Sequence, residues 1–214
     1  MSTMVATQTA VTPKTEVTPE ELLAMPDGGH YELIDGELKE RRVSVLSNLI
    51  AAEVNRILGN HCHTHRLGWI FAADLGFRCF PWKPSKVRRA DVSFISRDRY
   101  SWEQLSEDGF ATIPPDLAVE VVSPNDLVGE LDEKIDEYLR AGVRLVWVVR
   151  PAARAVQVFR GDRSESWLWA TDELSGEDVL PGFRCKVDDL FPKQPQTEVH
   201  RPANSDPVSS PPSS

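Results

Sequence analysis

Cysteine is scarce in this 214-residue chain: Cys62, Cys79 and Cys185 are scattered, odd in number and without a CxxC spacing. That pattern argues against a disulfide framework and against a ribbon-type zinc site. No stretch approaches the roughly 18 to 20 apolar residues of a membrane span. No basic segment followed by an apolar one opens the chain, as a secretory leader would. The expectation is a protein of the reducing cytoplasm without a membrane partner. Positive charge is also short, with 24 Lys and Arg against 33 Asp and Glu and a net charge of −9. Proteins that coat DNA need long basic surfaces, so that class is disfavoured. An enzyme that touches a few phosphates through a local patch is not.

What remains is ordinary for a globular protein, with 41% hydrophobic and 27% charged residues, enough for one core. Residues 1–17 lack helical or strand periodicity and are expected to form a loose arm. Residues 193–214 are rich in Pro and Ser and poor in apolar residues, so they are expected to form a disordered tail. A single domain is predicted between them, over 18–192.

Several elements can be read directly. Thr18-Pro19-Glu20-Glu21 fits a capping box with proline at the first helical position, opening a short helix that Pro26 ends. Asp35-Gly36 between Tyr31-Glu32-Leu33-Ile34 and Glu37-Leu38 signals a hairpin. Leu46, Leu49, Ile50, Val54, Ile57 and Leu58 recur at helical spacing and predict a helix over 45–59. Residues 69–80 read as extended chain, and 90–95 as a strand. Leu117 to Val122 is valine-rich, Leu127 to Leu139 has helical spacing that Ala141-Gly142 ends, and Leu145 to Val149 is uniformly apolar. Strand, helix and strand in some thirty residues predict a right-handed βαβ crossover. A last hairpin of Val156 to Phe159 and Trp167 to Trp169 is expected around Gly161-Asp162. The sum is an α/β domain with a mixed sheet.

Two carboxylates stand out because they interrupt apolar strands: Asp91 in Ala-Asp-Val-Ser-Phe-Ile and Glu120 in Leu-Ala-Val-Glu-Val-Val. Charges there are costly unless they are paired or hold a metal. Strand alternation puts Glu120 on a face with Ala118 and Val122. Its structural alternative is an ion pair with a neighbouring Arg or Lys, such as Arg144; for Asp91 it is a strand-end cap or turn residue. Lys134 borders the inner face of the following helix, three residues after Leu131 and four before Tyr138. Its alternative is a surface lysine paired with Glu130 or Glu137. Arg78, Lys83, Lys86, Arg88, Arg89, Arg97 and Arg99, with Trp82 among them, form a basic patch that reads equally as a solvated loop or a DNA contact. His61-Cys62-His63-Thr64-His65 could bind metal, but a polar loop between helix and strand is favoured because spacing supplies no fourth ligand.

Segments 31–38, 90–95, 115–124, 133–143, 146–151 and 180–183 resemble, in order, the Uma-type restriction endonuclease family, grouped with the PD-(D/E)XK nucleases. Pro-Asp-Leu-Ala-Val-Glu-Val-Val-Ser-Pro and Glu-Lys-Ile-Asp-Glu-Tyr carry most of that likeness. The resemblance implies a restriction-endonuclease-like α-β-β-β-α-β core with a mixed sheet and additional β-hairpins. It matches Asp91 and Glu120 to the two acids of the family motif. Val122 stands where the superfamily pattern has lysine, and Lys134 on the next helix takes that role. Glu32 matches a further acid of the first hairpin. Ala90 replaces the usual proline, and Ser47 stands where many members carry histidine.

The implied chemistry is Mg²⁺-dependent, or Mn²⁺-dependent, hydrolysis of DNA phosphodiesters. Asp91, Glu120 and the Val121 carbonyl would hold the ion, and Lys134 and Glu32 would complete the catalytic set. A homodimer would suit the cutting of two strands. The competing expectations are a nuclease fold kept as a binding or assembly module and a His-cluster metal-binding protein.

Overall fold

Thr18 opens the first helix as its side-chain pattern predicts. Its hydroxyl accepts from the Glu21 amide at 3.1 Å, while its own amide donates to the Glu21 carboxylate at 2.8 Å. Helix α1 spans Pro19–Ala24. The computed structural model describes residues 16–107 and 109–193. The expected arm and tail lie outside the described residues, apart from Glu16, Val17 and Lys193. Val17 is anchored, since its amide donates to the Gly36 carbonyl.

Strands β1 (Tyr31–Ile34) and β2 (Glu37–Glu40) form the expected hairpin. Asp35 and Gly36 both take positive φ, 52° and 78°, which suits the twist of a two-residue turn. Leu22, Leu33 and Val87 pack beneath α1 and this hairpin as a small core of their own.

The central sheet has six strands in the order β3-β4-β5-β6-β7-β8. They are β3 (Gly68–Ala72), β4 (Val92–Ser96), β5 (Leu117–Val121), β6 (Leu145–Arg150), β7 (Ala155–Arg160) and β8 (Glu165–Trp169). Only β5 and β6 run parallel; the other neighbours are antiparallel. The parallel pair needs a crossover, and helix α3 (Val128–Ala141) supplies it. Gly142 ends α3 with φ 100°, a left-handed conformation that side chains resist. Strands β9 (Glu173–Ser175) and β10 (Arg184–Lys186) close the fold as a small antiparallel pair.

One helix covers each face of the sheet. Helix α2 (Val45–His65) lays Ile50, Val54, Leu58 and Cys62 against Val92, Phe94, Leu117, Val119, Val121 and Trp147. On the opposite face α3 packs Ile135 and Tyr138 against Ala118, Val146 and Val148. Strand β5 is therefore buried on both faces, as a parallel strand in a covered sheet should be.

Two expectations need correction. Helix α2 does not stop near residue 59 but continues to His65, where Arg66 adopts φ 54°. Cys62 extends the buried stripe one more turn, and that packing outweighs the polar composition around it. The extended stretch expected over 69–80 is a true strand only to Ala72. Beyond it Phe77 and Cys79 are buried, but Phe77 exchanges backbone hydrogen bonds with Arg88 outside the main sheet.

A side chain at position 142 would have to be held in the left-handed region at a cost of about 1–2 kcal/mol. Gly142→Ala should lower stability by that amount in denaturant unfolding. An unchanged unfolding midpoint would contradict the role given to this cap.

Candidate active site

Glu120 owes its position to strand alternation. Val119 and Val121 point into the core under α2, so Glu120 faces α3, beside Ala118. It is only 6% exposed. Its Oε2 accepts from Lys134 Nζ at 2.9 Å, while Oε1 is buried and has no hydrogen-bond partner. The crossover brings Lys134 there, because α3 returns over the strand that precedes it. Lys134 also lies 2.9 Å from Glu32 Oε1 and donates to the Arg89 carbonyl at 2.7 Å. One ammonium group thus bridges two buried carboxylates.

The ion-pair alternative for Glu120 is met by Lys134 and the strand-end alternative for Asp91 by its bond from the Val121 amide, while the particular partners named for Glu120 and Lys134 lie elsewhere. Arg144 pairs with Asp116 and Asp178 rather than Glu120. Glu130 pairs with Arg42, and Glu137 pairs with Lys86 and Arg88.

Asp91 stands immediately before β4, with its amide bonded to the Val119 carbonyl. Its Oδ2 accepts from the Val121 amide at 2.7 Å, which locks the carboxylate against the end of β5. Its Oδ1 accepts from Arg41 at 2.8 Å. Arg41 also reaches the Ala73 carbonyl; the sequence offered no sign of it, because it follows the hairpin as one of two adjacent surface-type arginines. Val121 lines the same cleft as Asp91, Glu120, Lys134 and Glu32.

Glu32 is held from three sides. Besides Lys134, it takes Arg88 on Oε2 at 3.0 Å and the Arg89 amide on Oε1 at 2.7 Å. Part of the basic patch is neither solvated loop nor DNA contact. Lys86, Arg88 and Arg89 are buried: Lys86 and Arg88 serve Glu137, and Arg89 caps backbone carbonyls of Tyr31, Asp74 and Gly28. Arg78 pairs with Glu20, Lys83 with Asp35 and Arg99 with Asp116, while Arg97 lies over the Trp69 ring. Lys86, Arg88 and Arg89 are internal scaffolding, while Arg78, Lys83, Arg97 and Arg99 stay at the surface. The signal of the scaffolding was the alternation of Lys86 and Arg88 around buried Val87. Glu137, three residues after Lys134, marks the same inner face of α3.

Electrostatics separate the two inner carboxylates. Burial pushes Glu120 up to about 7, with Asp91 and Glu32 adding to the rise and Lys134 opposing it. Burial also works upward on Glu32, but Lys134, Arg88 and the Arg89 amide outweigh it and hold that carboxyl at about 2. Burial disfavours the Lys134 ammonium, yet Glu120, Glu32 and Asp91 together raise its pKa. The buried Tyr138 hydroxyl is held well above its ordinary value, first by burial and then by Glu120 and Glu32. Such divergence between adjacent acids is what acid–base and metal chemistry use.

The site opens into a cleft of about 650 Å³. Its lining includes Lys39, Arg41 and Arg42 but also Glu40, Asp126, Glu130 and Glu133, so charges of both signs meet there. Among the described residues no three His, Cys, Asp or Glu side chains form a ready-made metal cluster. The oxygen donors present are two carboxylates flanking a strand end, one with a free buried oxygen. That set fits a hard cation that keeps several of its waters.

The histidine run is helical, not a loop. His61 and His65 share one side of α2, with ring centroids 4.4 Å apart, and His61 reaches the Pro181 carbonyl at 3.1 Å. His63 lines a different pocket, beside Trp69 and Arg97. Helical spacing parts His63 from the other two.

Residues 19–188 match the Uma2 family, described as "Putative restriction endonuclease". The chain belongs to the Uma2 family. A crystal structure from Anabaena variabilis ATCC 29413, described as "a putative nuclease belonging to DUF820", has a TM-score of 0.70 to this chain. The likeness covers 82% of this chain and 97% of that one at 20% identity, and so speaks for a shared nuclease-like fold. No curated protein sequence matches the chain. The Uma2 assignment agrees with the mixed α/β architecture expected from the motifs. No helix among the described residues is long and apolar enough to cross a membrane.

Linkage gives a stability test of this Uma2 site. Glu120 rises on folding from 4.5 to about 7, so the native state binds more protons between those values. This group's contribution is complete below about 4.5 and is lost as pH rises through about 7. Glu120→Gln, which cannot ionise, should gain stability relative to wild type across that interval and hold the gain above it. Melting curves at pH 4.5, 6 and 8 report this; a constant difference at all three values would contradict the assigned shift.

Proposed function

We propose that this protein is a metal-dependent endodeoxyribonuclease that hydrolyses phosphodiester bonds. The observation that carries the reading is the unpartnered Oε1 of buried Glu120, beside Asp91 and in contact with Lys134. A buried carboxylate oxygen without a partner is costly, and a cation in the adjoining cleft would satisfy it. Asp91, Glu120 and the Val121 carbonyl are the residues assigned to hold Mg²⁺, with Mn²⁺ as a substitute. When bound, the ion polarises the scissile phosphate and lowers the pKa of a coordinated water.

The chain's own groups do the rest. Lys134 fixes the Glu120 carboxylate and presents positive charge where negative charge develops on the phosphate. Glu32 keeps that ammonium protonated and aimed, and Arg88 with the Arg89 amide keeps Glu32 ionised. Arg41 and the Val121 amide hold Asp91 in one orientation. Lys39, which also lines the cleft, suits a flanking phosphate of DNA. These supports matter because a site misplaced by about 1 Å loses about 100-fold in rate.

A second reading has one observation in its favour. Arg41 already engages Asp91, so a nuclease fold retained as a binding module would also account for the ion pairs. Incubation of the full-length protein with single-stranded, duplex and branched DNA, with and without Mg²⁺ or Mn²⁺, separates the two. The nuclease reading expects cleavage with the metal, abolished in Asp91→Asn and Glu120→Gln and reduced about 100-fold or more in Lys134→Ala, with circular dichroism unchanged. Cleavage undiminished in the two acid variants, or none with any substrate and either metal, sinks it.

A further inference from the structure

Strand β8 is an edge of the sheet, and it carries two large aromatic side chains that the core does not use. Trp167 and Trp169 are 41% and 54% exposed. Their rings stack with centroids 5.9 Å apart and an interplanar angle of 22°. Leu168 between them packs into the core under α2, so alternation turns both tryptophans to the other face. That is the face bearing Glu120. Sheet register makes the link explicit: Glu120 pairs with Val148, Val148 with Gln157, and Gln157 with Trp167. One row further on, Arg150 pairs with Ala155 and Ala155 with Trp169. Three strand spacings of about 4.8 Å put the indoles roughly 14 Å from the Glu120 row. The row itself is covered, since Val148 and Gln157 are buried, so a strand reaches the indoles round the C-terminal ends of β5 and β6, where Arg150 lies.

Charge completes the surface. The Arg150 guanidinium lies over the Trp167 ring, 5.3 Å from its centroid. Its side-chain hydrogen bonds go to the neutral Gln157 amide oxygen, at 2.9 and 3.2 Å. Gln157 in turn donates to Glu165, so the amide stands between the arginine and that carboxylate. Among the described residues Arg150 has no ion pair, in contrast to Arg144, Arg154 and Arg160. An arginine whose charge is left free beside a stacked indole pair suits a phosphate with its base laid on the ring. An apolar protein partner would leave that charge buried and unpaired.

We propose that Trp167, Trp169 and Arg150 form a stacking platform for unpaired nucleobases of the DNA strand that enters the cleft. This platform rests on the nuclease reading and names the form of substrate it takes: single-stranded DNA, or a duplex end or junction with splayed bases. The indoles offer π-faces to any base, so recognition is independent of sequence.

The test measures binding of a fluorescently labelled single-stranded 12-mer and of a blunt duplex by anisotropy, with the full-length protein in EDTA so that nothing is cleaved. Trp167→Ala/Trp169→Ala should weaken single-strand binding about tenfold or more and duplex binding much less, whereas Trp167→Phe/Trp169→Phe should retain most of the affinity. Arg150→Ala should weaken the single strand and flatten its salt dependence. Unchanged single-strand affinity in the alanine variant, or equal losses on both DNAs, overturns the platform while leaving the nuclease reading intact. A dimer in sedimentation that this variant dissolves, with DNA binding unaffected, overturns it in favour of self-association. Failure of the wild type to bind either DNA overturns the platform and the DNA reading together.

Discussion

Lys134 is the group on which the rest of the site depends. Its ammonium sits 2.9 Å from each of two buried carboxylates, Glu120 and Glu32. Removing it would leave those carboxylates facing each other in a poorly solvated interior, where like charges cannot both ionise cheaply. The residue reaches that point only because β5 and β6 are parallel. A parallel pair requires a crossover, the crossover is α3, and α3 delivers Lys134 over the strand that carries Glu120. Topology and electrostatics are therefore one constraint here.

Around this centre lies a graded set of supports. Glu32 is fully committed, with a partner on each oxygen and a carboxyl held at about 2. Asp91 is fixed by Arg41 and by the Val121 amide. Glu120 is the exception, raised to about 7 with one oxygen unsatisfied. A buried ion network retained purely for stability would be expected to satisfy every member, since half-satisfied networks are worse than apolar packing. Three groups here fall short, Glu120 Oε1, Arg88 Nη2 and the Tyr138 hydroxyl; Glu120 and Arg88 line the cleft, where a ligand could complete them.

Much of this was legible in the residues themselves. Thr18 with Glu21, Asp35-Gly36 and Gly142 marked their elements because capping and turn chemistry are local. Glu120 was legible because one carboxylate in a valine run has few explanations, and alternation then fixed its face. The partners were less legible. Arg88 and Glu137 looked like surface charges, since pairing between positions 49 residues apart is a tertiary fact that composition does not encode. Arg41 was missed for the same reason. The histidine run was misread as a loop because its polar composition hid Cys62, the one residue that continues the buried stripe of α2. Trp167 and Trp169 were read as part of the last hairpin; their exposure and stacking became visible only with the sheet edge in place.

The most direct test of the central claim is to locate a cation. Crystals of the full-length protein grown or soaked with Mn²⁺ would show its position by anomalous scattering. The account predicts one peak at the cleft between Glu120 Oε1 and Asp91, absent in a Glu120→Gln crystal treated identically. No peak at that point, or a peak that survives the substitution, would contradict it.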